Sequence, residues 1–130
     1  EAGANVMVVN RSVENGERLA ADLSVTFVPL EKVEGLTADV LINTTPVGMH
    51  PQIDAMPVPA GRFQKGMVVM DIVYTPLDTE FLKQARAAGS EVVDGLNMFV
   101  LQGARQFELW TGLEAPIDVM RKAVLEQLEA

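Results

Sequence analysis

Four short apolar runs, "VMVV" (6–9), "ADVLI" (38–42), "MVVMDIV" (67–73) and "EVV" (91–93), set the terms on which this chain can fold. Each is continuous rather than alternating, rich in β-branched residues or Met, and bounded by Gly, Pro or polar residues. A strand with one face in water alternates, whereas a strand buried on both faces does not. Runs of this kind therefore point to a parallel sheet covered on both sides. A fifth, weaker run, "VTFVPL" (25–30), contains Pro29, which ends the strand or pushes it to an edge.

Helical patterns lie between the runs. Residues 13–23 place Gly16, Leu19, Ala20 and Leu23 on one side, with Ser12 as N-cap and Glu14 in the first turn. Residues 80–88 predict a second helix, capped by Thr79 or Asp78 and stopped by Gly89. "DGLNMFVLQGARQFELWTG" (94–112) reads as an amphipathic helix with Phe99, Gly103, Phe107 and Trp110 as its apolar stripe and Gln102 at the edge. A last helix spans about 116–129, with Pro116 in its first turn. The segment 46–65, with its four prolines, reads as a long loop with room for a helical turn. Strands alternating with helices predict an α/β fold: a Rossmann-like, doubly wound, mainly parallel sheet with C-terminal helices.

Composition removes several functions. The net charge of −8, with no basic run, argues against nucleic acid. No apolar stretch approaches the roughly 20 residues that span a bilayer, and none resembles a signal peptide. Without cysteine there is no thiolate chemistry or Cys-held zinc, and one histidine, His50, makes a His-based metal site improbable. The expectation is a soluble, cytoplasmic protein. "EAGANVMVVN" lacks an initiating Met and reads like a helix end running through glycine into a strand, so upstream sequence is expected.

Ligands of open α/β sheets bind beyond the carboxyl ends of the strands, and four such ends are polar here. Asn10-Arg11-Ser12 follows the first run; a basic residue there suits the 2′-phosphate of NADP, as an acid suits the ribose of NAD. Arg11 reads equally well as a solvated loop residue. Asn43, Thr44 and Thr45 could line a cofactor groove or satisfy the turn before Pro46. Tyr74 ends "DIVYTP" either as a cleft hydroxyl or as packing, and Asp71 reads as hydrogen-bonded within the sheet rather than catalytic. Gly95 permits close approach of a backbone or ligand, or a tight turn. No G-x-G-x-x-G loop, nucleophile–base pair or metal cluster is present.

Four stretches in order, "VVNRS", "LINTTPVGM", "DIVYTPLDTEFLKQARAAG" and "DGLNMFVLQGARQFELWTG", resemble the C-terminal, NADP-binding half of the shikimate dehydrogenase family. They cover most of residues 6–112, and the last two are the specific ones. The resemblance implies that Asn10, Arg11 and Ser12 hold the adenosine 2′-phosphate, with Ser in place of the family's Thr. It implies that Thr44 and Thr45 lie along the cofactor, and that the backbone of Ile72 and Gly95 lies near the nicotinamide. Tyr74 and Gln102 match residues that hydrogen-bond shikimate.

The implied activity is NADPH-dependent reversible reduction of 3-dehydroshikimate to shikimate, in aromatic amino acid biosynthesis. The family's acid–base Lys/Asp pair sits in a preceding substrate domain, absent here with the first strand and its glycine-rich loop. This chain, a partial NADP-binding domain over 1–130, is thus expected to be inactive alone. A quinate/shikimate variant, a non-catalytic dinucleotide-binding or regulatory module, a scaffold domain and a fused parent enzyme remain alternatives.

In the strand order 3-2-1-4-5-6 the missing strand is central, so its two neighbours would each lose a partner. Four buried, unpaired backbone groups at about 1–3 kcal/mol each would rival a typical stability of about 5–15 kcal/mol. A dimer, strand exchange or a non-standard sheet is expected.

Overall fold

The computed structural model describes residues 3–59 and 61–128. The chain divides into two compact units, residues 1–37 and 38–130.

In the first unit β1 (Met7–Asn10) pairs in parallel with β2 (Thr26–Pro29), joined by helix α1 (Val13–Leu23). Pro29 does end its strand. Ser12 caps α1 through Oγ, and Ser24, in the left-handed region at φ 55°, closes it. Gly16 and Ala20 form the buried line of α1, whereas Leu19 and Leu23 are exposed. A Cβ at Gly16 would collide with the Phe27 ring, so glycine is what lets α1 lie against β2. A 3-10 helix, Leu30–Gly35, follows β2 and buries Val33. Nothing in the apolar pattern predicts it, because "LEKVEG" is too short and too charged to show a period.

In the second unit β3 (Val40–Asn43), β4 (Val68–Asp71) and β5 (Glu91–Val93) make a parallel sheet in the order β3-β4-β5. Helix α2 (Glu80–Ala87) precedes β5, and α3 (Gly95–Thr111) and α4 (Ile117–Leu128) follow it. Central β4 buries Val69 completely, and Phe81, Leu82 and Ala85 of α2 are fully or nearly fully buried beside it. Phe63, from the proline-rich segment, meets the Phe81 ring edge-on at 5.4 Å. That segment contains turns but no helix among its described residues.

Two features of α3 differ from the sequence expectation. Its buried line is Leu96, Val100 and Ala104, one position off the expected stripe; Phe99, Gly103 and Phe107 are half-buried and Trp110 is 81% exposed. The bulk of the aromatic rings suggested an inward face, but the close fit of α3 in this unit favours the smaller side chains. Gly95 is also the first residue of α3 rather than part of a turn before it, and Asp94 is the N-cap. The expected end of α4 at residue 129 lies outside the described residues, as does the supposed helix end at residues 1–2.

Within each unit the neighbours, β2-β1 in one sheet and β3-β4-β5 in the other, agree with adjacent strands of the order 3-2-1-4-5-6. The strands thus form two small sheets rather than one.

Candidate functional site

The first unit presents a turn at the carboxyl end of β1. Asn10 Oδ1 accepts from the Ser12 backbone N–H at 2.9 Å, a local turn that Asn favours. Ser12 Oγ accepts from Asn15 N at 3.4 Å and so closes the start of α1. Arg11 lies exposed between these two anchors. Both flanking side chains are engaged through their oxygens, which leaves the Asn10 amide N–H groups and the Ser12 hydroxyl proton as donors. A guanidinium beside such donors, at the positive end of a helix, fits a phosphate monoester.

In the second unit the candidate residues gather around the carboxyl ends of β3 and β4. Asn43 and Asp71, opposite each other in register, are buried and bonded, Asn43 Nδ2 donating to Asp71 Oδ1 at 3.0 Å. Asp71 Oδ1 also accepts from Val73 N at 3.0 Å, and Oδ2 accepts from Thr79 Oγ1 at 2.7 Å. Thr79 caps α2 by accepting from Leu82 N. Asp71 is thus a hydrogen-bonding post within the sheet, sealed from solvent.

Thr44 and Thr45 differ. The Thr45 hydroxyl donates to Asn43 Oδ1 at 2.7 Å and accepts from Val47 N at 3.2 Å, so it is occupied within its own loop. Thr44 is exposed. Ile72 and Gly95, distant in sequence, are brought together: a Cβ on Gly95 would stand 2.5 Å from Ile72 O and 2.6 Å from Val73 O.

Tyr74, 36% exposed, stacks on Phe99 with ring centroids 4.4 Å apart and an interplanar angle of 26°. The two rings, with Ala123, Val124, Gln127 and Leu128, line an open groove of about 380 Å³. Gln102 is exposed one turn beyond Phe99, and residues three apart share a helix face. Gln102 is not among the residues that line the groove of Tyr74 and Phe99. Phe99 was visible in the sequence only as a core residue; nothing local signals a ring partner 25 positions away.

A model of the shikimate 5′-dehydrogenase C-terminal domain matches residues 95–125. The NADP(+) shikimate dehydrogenase of Methanosarcina acetivorans is 45% identical over 98% of this chain and 49% of its own length. The chain belongs to the shikimate dehydrogenase family. It spans about half the length of the curated relatives it matches. Among solved structures of similar fold is shikimate 5-dehydrogenase from Thermus thermophilus in complex with NADP(H) and shikimate. It has a TM-score of 0.86 and 40% identity over 96% of this chain and 47% of its own. Another is quinate dehydrogenase from Corynebacterium glutamicum in complex with NAD, with a TM-score of 0.88 and 32% identity over 95% of this chain and 47% of its own.

Proposed function

We propose that this chain is the cofactor-binding part of an NADP-dependent shikimate dehydrogenase. The parent enzyme would be cytoplasmic and would interconvert 3-dehydroshikimate and shikimate in aromatic amino acid biosynthesis. The observation that carries the reading is the exposed Arg11 in a turn that also offers the Asn10 amide and the Ser12 hydroxyl at the start of α1. That donor set is suited to the 2′-phosphate that distinguishes NADP from NAD.

NADPH, when bound, supplies the hydride. The residues of this chain bind and orient. Thr44 and Thr45 would line the cofactor, and the backbone at Ile72 and Gly95 would border the nicotinamide. Tyr74 and Gln102 would hydrogen-bond hydroxyls of the substrate. Neither Lys65 nor Asp71 takes the acid–base role. Lys65 is exposed beside a turn, and Asp71 is sealed and already accepts three hydrogen bonds. That role would belong to a substrate domain outside this chain, so the chain alone would be inactive.

The test is the full-length protein's shikimate-dependent reduction of NADP+, repeated with Tyr74→Phe and Gln102→Ala. Each variant should raise the shikimate KM about three- to tenfold, the weight of one neutral hydrogen bond. Absence of shikimate oxidation in the intact protein would defeat the reading. A second reading, an NAD-using quinate/shikimate enzyme, is favoured by the likeness to the Corynebacterium glutamicum protein. It predicts NAD+ turnover that Arg11→Ala leaves untouched.

A further inference from the structure

We infer that Asn43 is a positioning residue for the cofactor, acting through the loop at 44–47; the inference rests on the NADP reading above. Asn43 is 3% exposed, and its side chain uses its full hydrogen-bonding capacity. Oδ1 accepts from Thr45 N at 3.0 Å and from Thr45 Oγ1 at 2.7 Å. Nδ2 donates to Val47 O at 3.1 Å and to Asp71 Oδ1 at 3.0 Å. Three of these four bonds hold the loop, and the fourth ties it to β4.

The same Asp71 oxygen accepts from Val73 N, the amide between Ile72 and Tyr74. The Asn43 backbone carbonyl also accepts from Ile72 N at 3.1 Å. One buried amide thus joins the Thr44–Thr45 turn to the strand end that carries Ile72 and Tyr74. Loop and strand end form a single hydrogen-bonded piece, so the cofactor-facing turn keeps a fixed height relative to the substrate tyrosine. The four bonds of the Asn43 side chain, 2.7 to 3.1 Å, are buried or part-buried, and no described buried side-chain polar atom lacks a partner. Asn43 touches neither ligand in this scheme.

The experiment uses the full-length protein and two readouts: NADP+ titration without substrate, and amide hydrogen exchange at Thr45 and Val47 without cofactor. Asn43→Ala should weaken NADP+ at least tenfold and speed exchange at both amides. Asn43→Ser keeps one oxygen for Thr45 but loses the N–H groups, and should weaken NADP+ about threefold. It serves if the alanine variant does not fold. Ser90→Ala, which removes a buried hydroxyl bonded to Gln64 O away from this loop, controls for general destabilisation and should leave NADP+ affinity within about twofold. Folded Asn43 variants with parental affinity and exchange overturn the inference while leaving the NADP reading intact. So does a Ser90→Ala variant as impaired as Asn43→Ala. An unmodified protein that binds no NADP+ overturns the reading beneath it, and the inference with it.

Discussion

Gly95 lies so close to Ile72 that a single added methyl would stand 2.5 Å from the Ile72 carbonyl oxygen. The first turn of α3 and the exit of β4 are therefore in backbone contact, and only glycine permits it. Gly95→Ala should cost about 1–3 kcal/mol, because the obstacle is main chain and cannot rotate away. Urea unfolding measures it. A variant with the parental midpoint would show that helix and strand can separate freely.

Asp71 makes a second, independent prediction. Replacing it by alanine strands three donors: Asn43 Nδ2, Val73 N and Thr79 Oγ1. At about 1–3 kcal/mol for each buried, unpaired group, Asp71→Ala should lose at least about 3 kcal/mol, and the isosteric Asp71→Asn less. Thermal melts of the two variants beside the parent decide this. Equal melting temperatures would mean that water replaces the carboxylate without cost.

Arg11 is exposed, so its side chain adds little to the packing of the fold. Arg11→Ala should therefore leave the melting temperature of the full-length protein within about a degree, an effect typical of surface substitutions. NADP+ affinity should fall about 10- to 100-fold, the loss expected for charge-assisted bonds, while NAD+ affinity stays unchanged. Calorimetric titration with both nucleotides is the check, and equal losses for the two would remove the 2′-phosphate from the account.

Among the described strands β1 pairs only with β2, and β3 only with β4. β3 is thus an edge strand among the described residues, and Val40 and Ile42, on one face of it, are each about half exposed. Such an edge is a template for another strand. The 130-residue chain on its own should therefore associate in the micromolar range, and Ile42→Lys should shift it toward monomer. Sedimentation velocity measures this, and a parent chain that stays monomeric throughout would count against edge pairing.

The strands were legible as continuous apolar runs, and all five runs fall within about two residues of where pairing occurs. The cover expected on both faces is met best by β4, whereas β3 leaves Val40 and Ile42 about half exposed. Caps were legible as well: Ser12 and Thr79 act locally, through N–H groups three residues on. What stayed hidden depends on partners remote in sequence. Asp71 could be read as a hydrogen-bonded acid, but not that Asn43, 28 positions earlier, would be one of its donors. Phe99 looked like core, while the structure sets it against Tyr74 and gives the inward line to Leu96, Val100 and Ala104. Helical spacing alone cannot choose between two apolar lines one residue apart. Small side chains allow the closer approach, and here they occupy the inner position.

The anchoring of α3 at its first residue makes the helix a lever. Its rise of about 1.5 Å per residue puts Gln102 about 10 Å from the pivot and Trp110 about 22 Å. A tilt of about 5° would then carry Trp110 through about 2 Å but Gln102 through only about 1 Å. A substrate contact at Gln102, as proposed above, would sit near the fulcrum, and the exposed indole of Trp110 would take most of the swing.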